Sequence, residues 1–174
     1  MTRDQLAKAI YDISHLTGNF KLRSGQTSQE YFDKYRFESQ PKMLKAIAQQ
    51  MAPLIPSSTE VLAGLEMGGI PIATALSFET GLPVLFVRKK AKDYGTCQFA
   101  EGLEFKGRRL CIVEDVITTG GQVLLSTQDL RQAGAIIEHV VCVIHRGQSP
   151  EPKIQEIGLA MKSLFTMEEL KRHS

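Results

Sequence analysis

Two adjacent carboxylates, Glu114 and Asp115, end an apolar run that begins at Leu110, and the small residues Thr118, Thr119, Gly120 and Gly121 follow closely. Acids side by side at the end of a buried strand are costly to desolvate unless a ligand or partner receives them. The hydroxyl and glycine stretch falls where a helical pattern begins, with Val123, Leu124, Thr127 and Leu130 on one side. Backbone N–H groups at such a helix start donate to phosphate oxygens, and glycine allows the close approach this needs. One strand–loop–helix segment therefore offers acids to sugar hydroxyls and a loop to a sugar phosphate. The chemistry implied is that of a phosphorylated, activated ribose.

A second group is basic. Arg88, Lys89, Lys90 and Lys92 fall within five positions. Such a run is ordinarily a solvated face, but this one leaves an apolar strand and enters a glycine-containing loop, which suits an anion site. The histidines at 15, 139, 145 and 173 lack metal-ligand spacing, and the three cysteines form no C-x-x-C pair. The glycine fingerprints of nucleotide triphosphatases and dinucleotide enzymes are absent, as are the G-x-S-x-G and H-E-x-x-H hydrolase motifs.

The elements that must position these residues alternate. Periodicity predicts a helix over 2–16, a short strand pair within 20–39, and a helix from Pro41 to about Ala52. Strands are predicted at 61–65, 84–87, 109–113 and 138–144. Helices are predicted from Ile70 to about Thr80 and from Gly121 to Ala133, with Gly134 as a C-terminal stop. Thr166 and Glu169 stand at capping-box spacing before a short helix over 167–172. Near-continuous apolar strands alternating with helices mean an α/β fold, with a mainly parallel sheet covered on both faces. Ligands bind such sheets at the carboxyl ends of the strands. The loops at 66–69, 88–95, 114–121 and 145–147 gather there.

Bulk properties narrow the class. At 174 residues the chain suits one domain over 1–174, with 60–147 as core sheet and ligand loops. A hydrophobic share of 43% with 23% charged residues describes an ordinary globular protein. No apolar run is long enough for a membrane span, and the start lacks a secretory core, so a cytoplasmic protein without membrane partner is expected. A net charge of +2 gives no argument for nucleic acid.

The segment from Val113 through Glu114, Asp115, Val116, Ile117, Thr118, Thr119 and Gly120 to Gly121 resembles the phosphoribosyl diphosphate motif of the type I phosphoribosyltransferases. Other segments resemble the orotate branch of that family, and together they span about 18–147. Residues 87–96 with Glu101 and Gly102 look like its mobile catalytic loop. Phe20, Arg23, Ser24, Gly25, Ser28, Tyr31, Phe32 and Asp33 look like its N-terminal substrate segment. Residues 62–73 look like its diphosphate loop, His145 and Arg146 sit where it carries an arginine for the base, and 163–170 look like its ending.

The resemblance implies the type I fold with a small N-terminal hood over about 1–40, and transfer of phosphoribosyl from its diphosphate to orotate. It implies Mg²⁺ held mainly by substrate, with no protein side chain assigned to the metal, and a homodimer whose Arg88 and Lys92 serve the neighbouring site. Lys92, Arg88 and Asp115 are the catalytic candidates. Lys89, Tyr94, Gly68, Gly69, Gln122 and the 114–121 segment are the further candidates for the phosphorylated sugar. Arg23, Tyr31, Phe32, Thr118 and Arg146 are those for orotate. Two residues depart from many relatives: Gly68 replaces a lysine, and Tyr94 replaces a histidine. The first leaves more of the charge neutralisation to Lys89 and the metal; the second makes a proton shuttle near neutrality unfavourable. A transferase for another base, and a regulator that senses the activated ribose without turnover, are the competing readings.

Overall fold

The computed structural model describes residues 1–22, 25–90, 99–147 and 151–173. Its centre is a six-stranded sheet of β3 (Val61–Leu65), β4 (Val84–Val87), β5 (Ala100–Glu101), β6 (Arg109–Ile117), β7 (Ile136–His145) and β8 (Ala160–Thr166). The spatial order is β5-β4-β3-β6-β7-β8. Every neighbouring pair is parallel except β4 and β5. Side chains alternate across a strand, so each central strand feeds two cores. Leu62, Cys111, Val113, Val141 and Phe165 face one side, where α1 (Arg3–Ser14), α3 (Pro41–Met51) and α4 (Gly69–Thr80) pack. Ala63, Ile112, Val140 and Cys142 face the other, beneath α5 (Gly121–Gln132) and α6 (Pro152–Glu156).

The hood is an antiparallel ribbon of β1 (His15–Lys21) and β2 (Thr27–Phe32). It leads into the single turn α2 (Tyr35–Glu38). Asp33 fixes that junction. Its N–H donates to the Ser14 carbonyl at 2.8 Å, and its carboxylate accepts from the Tyr35 N–H at 3.2 Å. Residues 34–38 are thereby laid across the carboxyl end of the sheet.

Four departures from the sequence reading have physical causes. The first helix stops at Ser14 rather than 16, because His15 turns extended and pairs with Phe32. Strand β6 runs to Ile117 rather than 113, because pairing with β7 continues to Ile117 opposite His145. Glu114 and Asp115 therefore sit on a strand, not in a loop. Strand β7 begins at Ile136, where its N–H donates to the Arg108 carbonyl. Edge strand β8 and the short α6 escaped detection, because Lys162 and Ser163 interrupt the apolar run of the one and the other is barely a turn. The capping box of α7 (Met167–Arg172) is formed as expected, Thr166 accepting from the Glu169 N–H.

Candidate active site

Strand β6 delivers its acids into the protein interior. Glu114 is 8% exposed and Asp115 is fully buried. The Asp115 carboxylate accepts the Val116 N–H at 2.5 Å through Oδ1. Its other oxygen, Oδ2, lies 2.5 Å from the Lys34 ammonium, which the hood brings over the sheet. Glu38, one turn further along the hood, buries its carboxyl against the same aspartate. Sequence reading missed both Lys34 and Glu38. Their signal was faint: a lysine and a glutamate four apart around the buried Phe37 look like any amphipathic turn.

The cluster shares few negative charges. Burial, reinforced by hydrogen bonding and repulsion from Asp115, pushes Glu38 up to about 9. Burial and the same neighbour push Glu114 well above the ordinary carboxylate range. Burial also works against the charge on Asp115. Hydrogen bonds from Glu114 and Glu38 and the attraction of Lys34 outweigh it, and the aspartate stays below its ordinary value. Lys34 feels an opposing burial cost, but Asp115 lifts it above its ordinary value. Burial thus favours the protonated forms of Glu38 and Glu114, while Asp115 favours its charged form opposite the Lys34 ammonium.

Stability depends on this protonation. Folding retains a proton on Glu38 that the unfolded chain releases between pH 4.5 and about 9. The native state binds more protons in that window, so stability falls as pH rises through it. Glu38→Gln keeps the donor to Asp115 and removes the ionisation. The expected melting temperature matches the parent near pH 5 and exceeds it by about 3–6 °C near pH 8.5. Thermal melts across this range check it; parallel curves for the two proteins would reject the protonated Glu38.

Beyond the acids the chain prepares an anion site. Gly120 takes a left-handed φ of 66° to turn from β6 into α5. A Cβ there would also meet Ile154 at 2.9 Å. No side chain caps α5, so its first N–H groups remain available at the positive end of the helix dipole. Thr118 and Thr119 stand exposed beside them.

A cavity of about 380 Å³ joins these parts. The structure brings together there Lys89, Glu114, Val116, Ile117, Thr118, Thr119, Gly120, Gly121 and Gln122, as well as Lys34, Tyr35, Glu66 and Met67. Lys89 is placed by its N–H, which donates to the Glu66 carboxylate at 3.3 Å. Arg88 starts the basic run with its N–H on the Phe99 carbonyl and its guanidinium 3.9 Å from Glu101. Gly68 and Gly69 open α4 under the acids and do not line the cavity. A second recess of about 170 Å³ gathers Tyr31, Phe32 and Arg146 with His15 and Glu30. Arg146 is tied to the first cavity through its N–H, which donates to the Ile117 carbonyl at 2.8 Å. Tyr31 stacks loosely on Phe20, with centroids 5.5 Å apart. Arg23, Lys92 and Tyr94 lie outside the described residues.

The comparisons agree with this geometry. A family model described as a phosphoribosyl transferase domain matches residues 35–160. An orotate phosphoribosyltransferase of Nocardioides sp. is 51% identical over 98% of this chain and 96% of its own length. One from Methanocella arvoryzae is 40% identical over 88% of this chain and 87% of its own. Among solved structures, Mycobacterium tuberculosis orotate phosphoribosyltransferase in complex with Fe(III) dicitrate superposes with a TM-score of 0.85 at 30% identity, covering 97% of this chain and 98% of that one. The same enzyme in complex with 5-phospho-alpha-D-ribosyl 1-diphosphate gives 0.82 at 27% identity, with the same coverage. With the acids, the 118–121 loop and Arg146 gathered at one end of the sheet, the chain belongs to the phosphoribosyltransferase family, among its orotate phosphoribosyltransferases.

Proposed function

We infer that this chain transfers the phosphoribosyl group of 5-phosphoribosyl 1-diphosphate to orotate, giving orotidine 5′-monophosphate and diphosphate on the route to UMP. One observation carries the reading. Strand β6 places the buried Asp115 six residues ahead of the uncapped helix start at Gly121, and strand β7 ends beside it at His145, next to Arg146.

The reaction forms a bond from a base nitrogen to the ribose C1 and breaks the bond from C1 to the diphosphate oxygen. Positive charge grows on the sugar ring and negative charge on the leaving group. Asp115, kept ionised by its neighbours, accepts the ribose hydroxyls and stabilises the ring charge at short range. Glu114, pushed up by burial, takes part as a hydrogen-bonding neighbour. The 118–121 loop and the α5 N-terminus hold the 5-phosphate. Arg88, Lys89 and Lys92 neutralise the departing diphosphate. Arg146 and Arg23 suit the carboxylate of a planar anion, and Tyr31 and Phe32 suit its faces.

Mg²⁺ fits as the companion of the diphosphate. Substrate oxygens would hold it in the main, with the Glu66 carboxylate on the cavity wall as a hard oxygen donor beside them. The ion would neutralise charge on the leaving group. We further propose a homodimer with shared sites. Support comes from an apolar recess between α3 and α4, lined by Leu44, Ile70, Pro71 and Phe78, in which Phe78 is 86% exposed. No described helix is long and apolar enough to cross a membrane. Cys111 and Cys142 are free thiols, which suits the reducing cytoplasm proposed as its location.

The deciding assay follows orotate absorbance in the ultraviolet with 5-phosphoribosyl 1-diphosphate and Mg²⁺. Orotate is expected to be consumed, and consumption to stop on chelation of the metal. Turnover of uracil or a purine without turnover of orotate would reassign the base. Binding of the activated ribose with no turnover of any base would favour a regulator.

A further inference from the structure

The 66–69 loop brings no cation to the cavity. Its residues are Glu66, Met67, Gly68 and Gly69. Position 68 has no room for one either. A Cβ there would lie 1.7 Å from Asp115 Oδ2 and 3.0 Å from Glu38 Oε1. The space through which a side chain would leave Gly68 is filled by the acids themselves. That same oxygen, Asp115 Oδ2, is the one Lys34 approaches at 2.5 Å. The lysine thus reaches, from the hood, the point where the 66–69 loop meets the ribose acids.

Its geometry leaves capacity for a ligand. An ammonium has three N–H donors, and Asp115 is the one carboxylate in ion-pair range of it among the described residues. The Lys34 side chain is 32% exposed, and it lines the cavity with Glu66, Lys89 and the phosphate loop. The Tyr35 ring, 5.2 Å from Nζ, steadies the cation without consuming a donor. Lys34 and Lys89 are the two cations on this wall among the described residues.

We propose that Lys34 is a substrate-binding residue, bridging Asp115 and a diphosphate oxygen of the activated ribose. It takes the place of the positive charge that Gly68 cannot supply. The inference rests on the phosphoribosyl-transfer reading and deepens it. One cation is shared between the acid that holds the sugar and the group that leaves it.

The test separates ligands with and without diphosphate. Lys34→Met is compared with the parent in three measurements: the Michaelis constant for the activated ribose, inhibition by inorganic diphosphate, and binding of orotidine 5′-monophosphate. The first two constants are expected to weaken about tenfold or more, while the monophosphate binds within about threefold of the parent. Lys34→Arg is expected to recover most of the loss. Lys34→Gln replaces the methionine variant if that fails to fold. Equal weakening of diphosphate and monophosphate ligands would overturn the proposal and leave Lys34 as a neutraliser of Asp115 alone. Unchanged constants would overturn it as well. Failure of the phosphoribosyl-transfer reading would instead show in the parent, as no orotate turnover.

Discussion

Asp115→Asn is expected to lower kcat/KM by about a thousandfold, close to 4 kcal/mol of transition-state stabilisation. The substitution preserves volume and both polar positions but removes the negative charge that Glu114, Glu38 and Lys34 favour on Asp115. In a site shielded from water that charge is strongly felt by a sugar ring becoming cationic. Burial sharpens the contrast with its neighbour. Burial pushes Glu114 well above the ordinary carboxylate range, so Glu114→Gln changes charge less than Asp115→Asn and is expected to cost at least about tenfold less. Steady-state kinetics of the two variants side by side decide the matter; equal losses would contradict the unequal sharing of charge. Asp115→Asn also leaves Lys34 half-buried without its counter-ion, so a lower melting temperature with retained secondary structure is expected.

Lys92→Ala is expected to lower kcat by about a hundredfold or more while leaving the melting temperature unchanged. The lysine belongs to the basic run after β4, and its assigned task is the charge that develops on the departing diphosphate. That charge is larger in the transition state than in the bound substrate, so kcat carries the loss rather than KM. If the run serves the neighbouring subunit, complementation follows by counting. Random mixing of Lys92→Ala with Asp115→Asn makes half the dimers mixed, and each of these holds one intact site in two. About a quarter of the parent activity is then expected from two nearly dead proteins. Verified mixed dimers without recovery would place Lys92 in the site of its own chain.

Much of this site was legible along the sequence because its parts are contiguous. The strand, acid pair, phosphate loop and helix occupy residues 109–132 without interruption. Local rules suffice there: apolar continuity, glycine at a left-handed turn, and an uncapped helix start. Lys89, which follows β4 directly, was legible as a cavity residue for the same reason. Strand β8 was not, because an edge strand buries one end only, and its polar residues hide the period. The upper limit of β6 was not, because it depends on how far β7 continues beside it.

By itself the sequence determined that this is a mainly parallel α/β protein of the phosphoribosyltransferase family, and it pointed to the 114–121 segment that the fold places at the carboxyl end of the sheet. The tertiary structure alone decided which groups share their charge. Lys34 and Glu38 stand far from Asp115 in the chain, and nothing in their local pattern marks them. Only when the ribbon of β1 and β2 lays α2 over the sheet does the Lys34 ammonium meet the buried carboxyls of Glu38, Glu114 and Asp115. Protonation and ion pairing answer to distance and burial, and both are set by the fold.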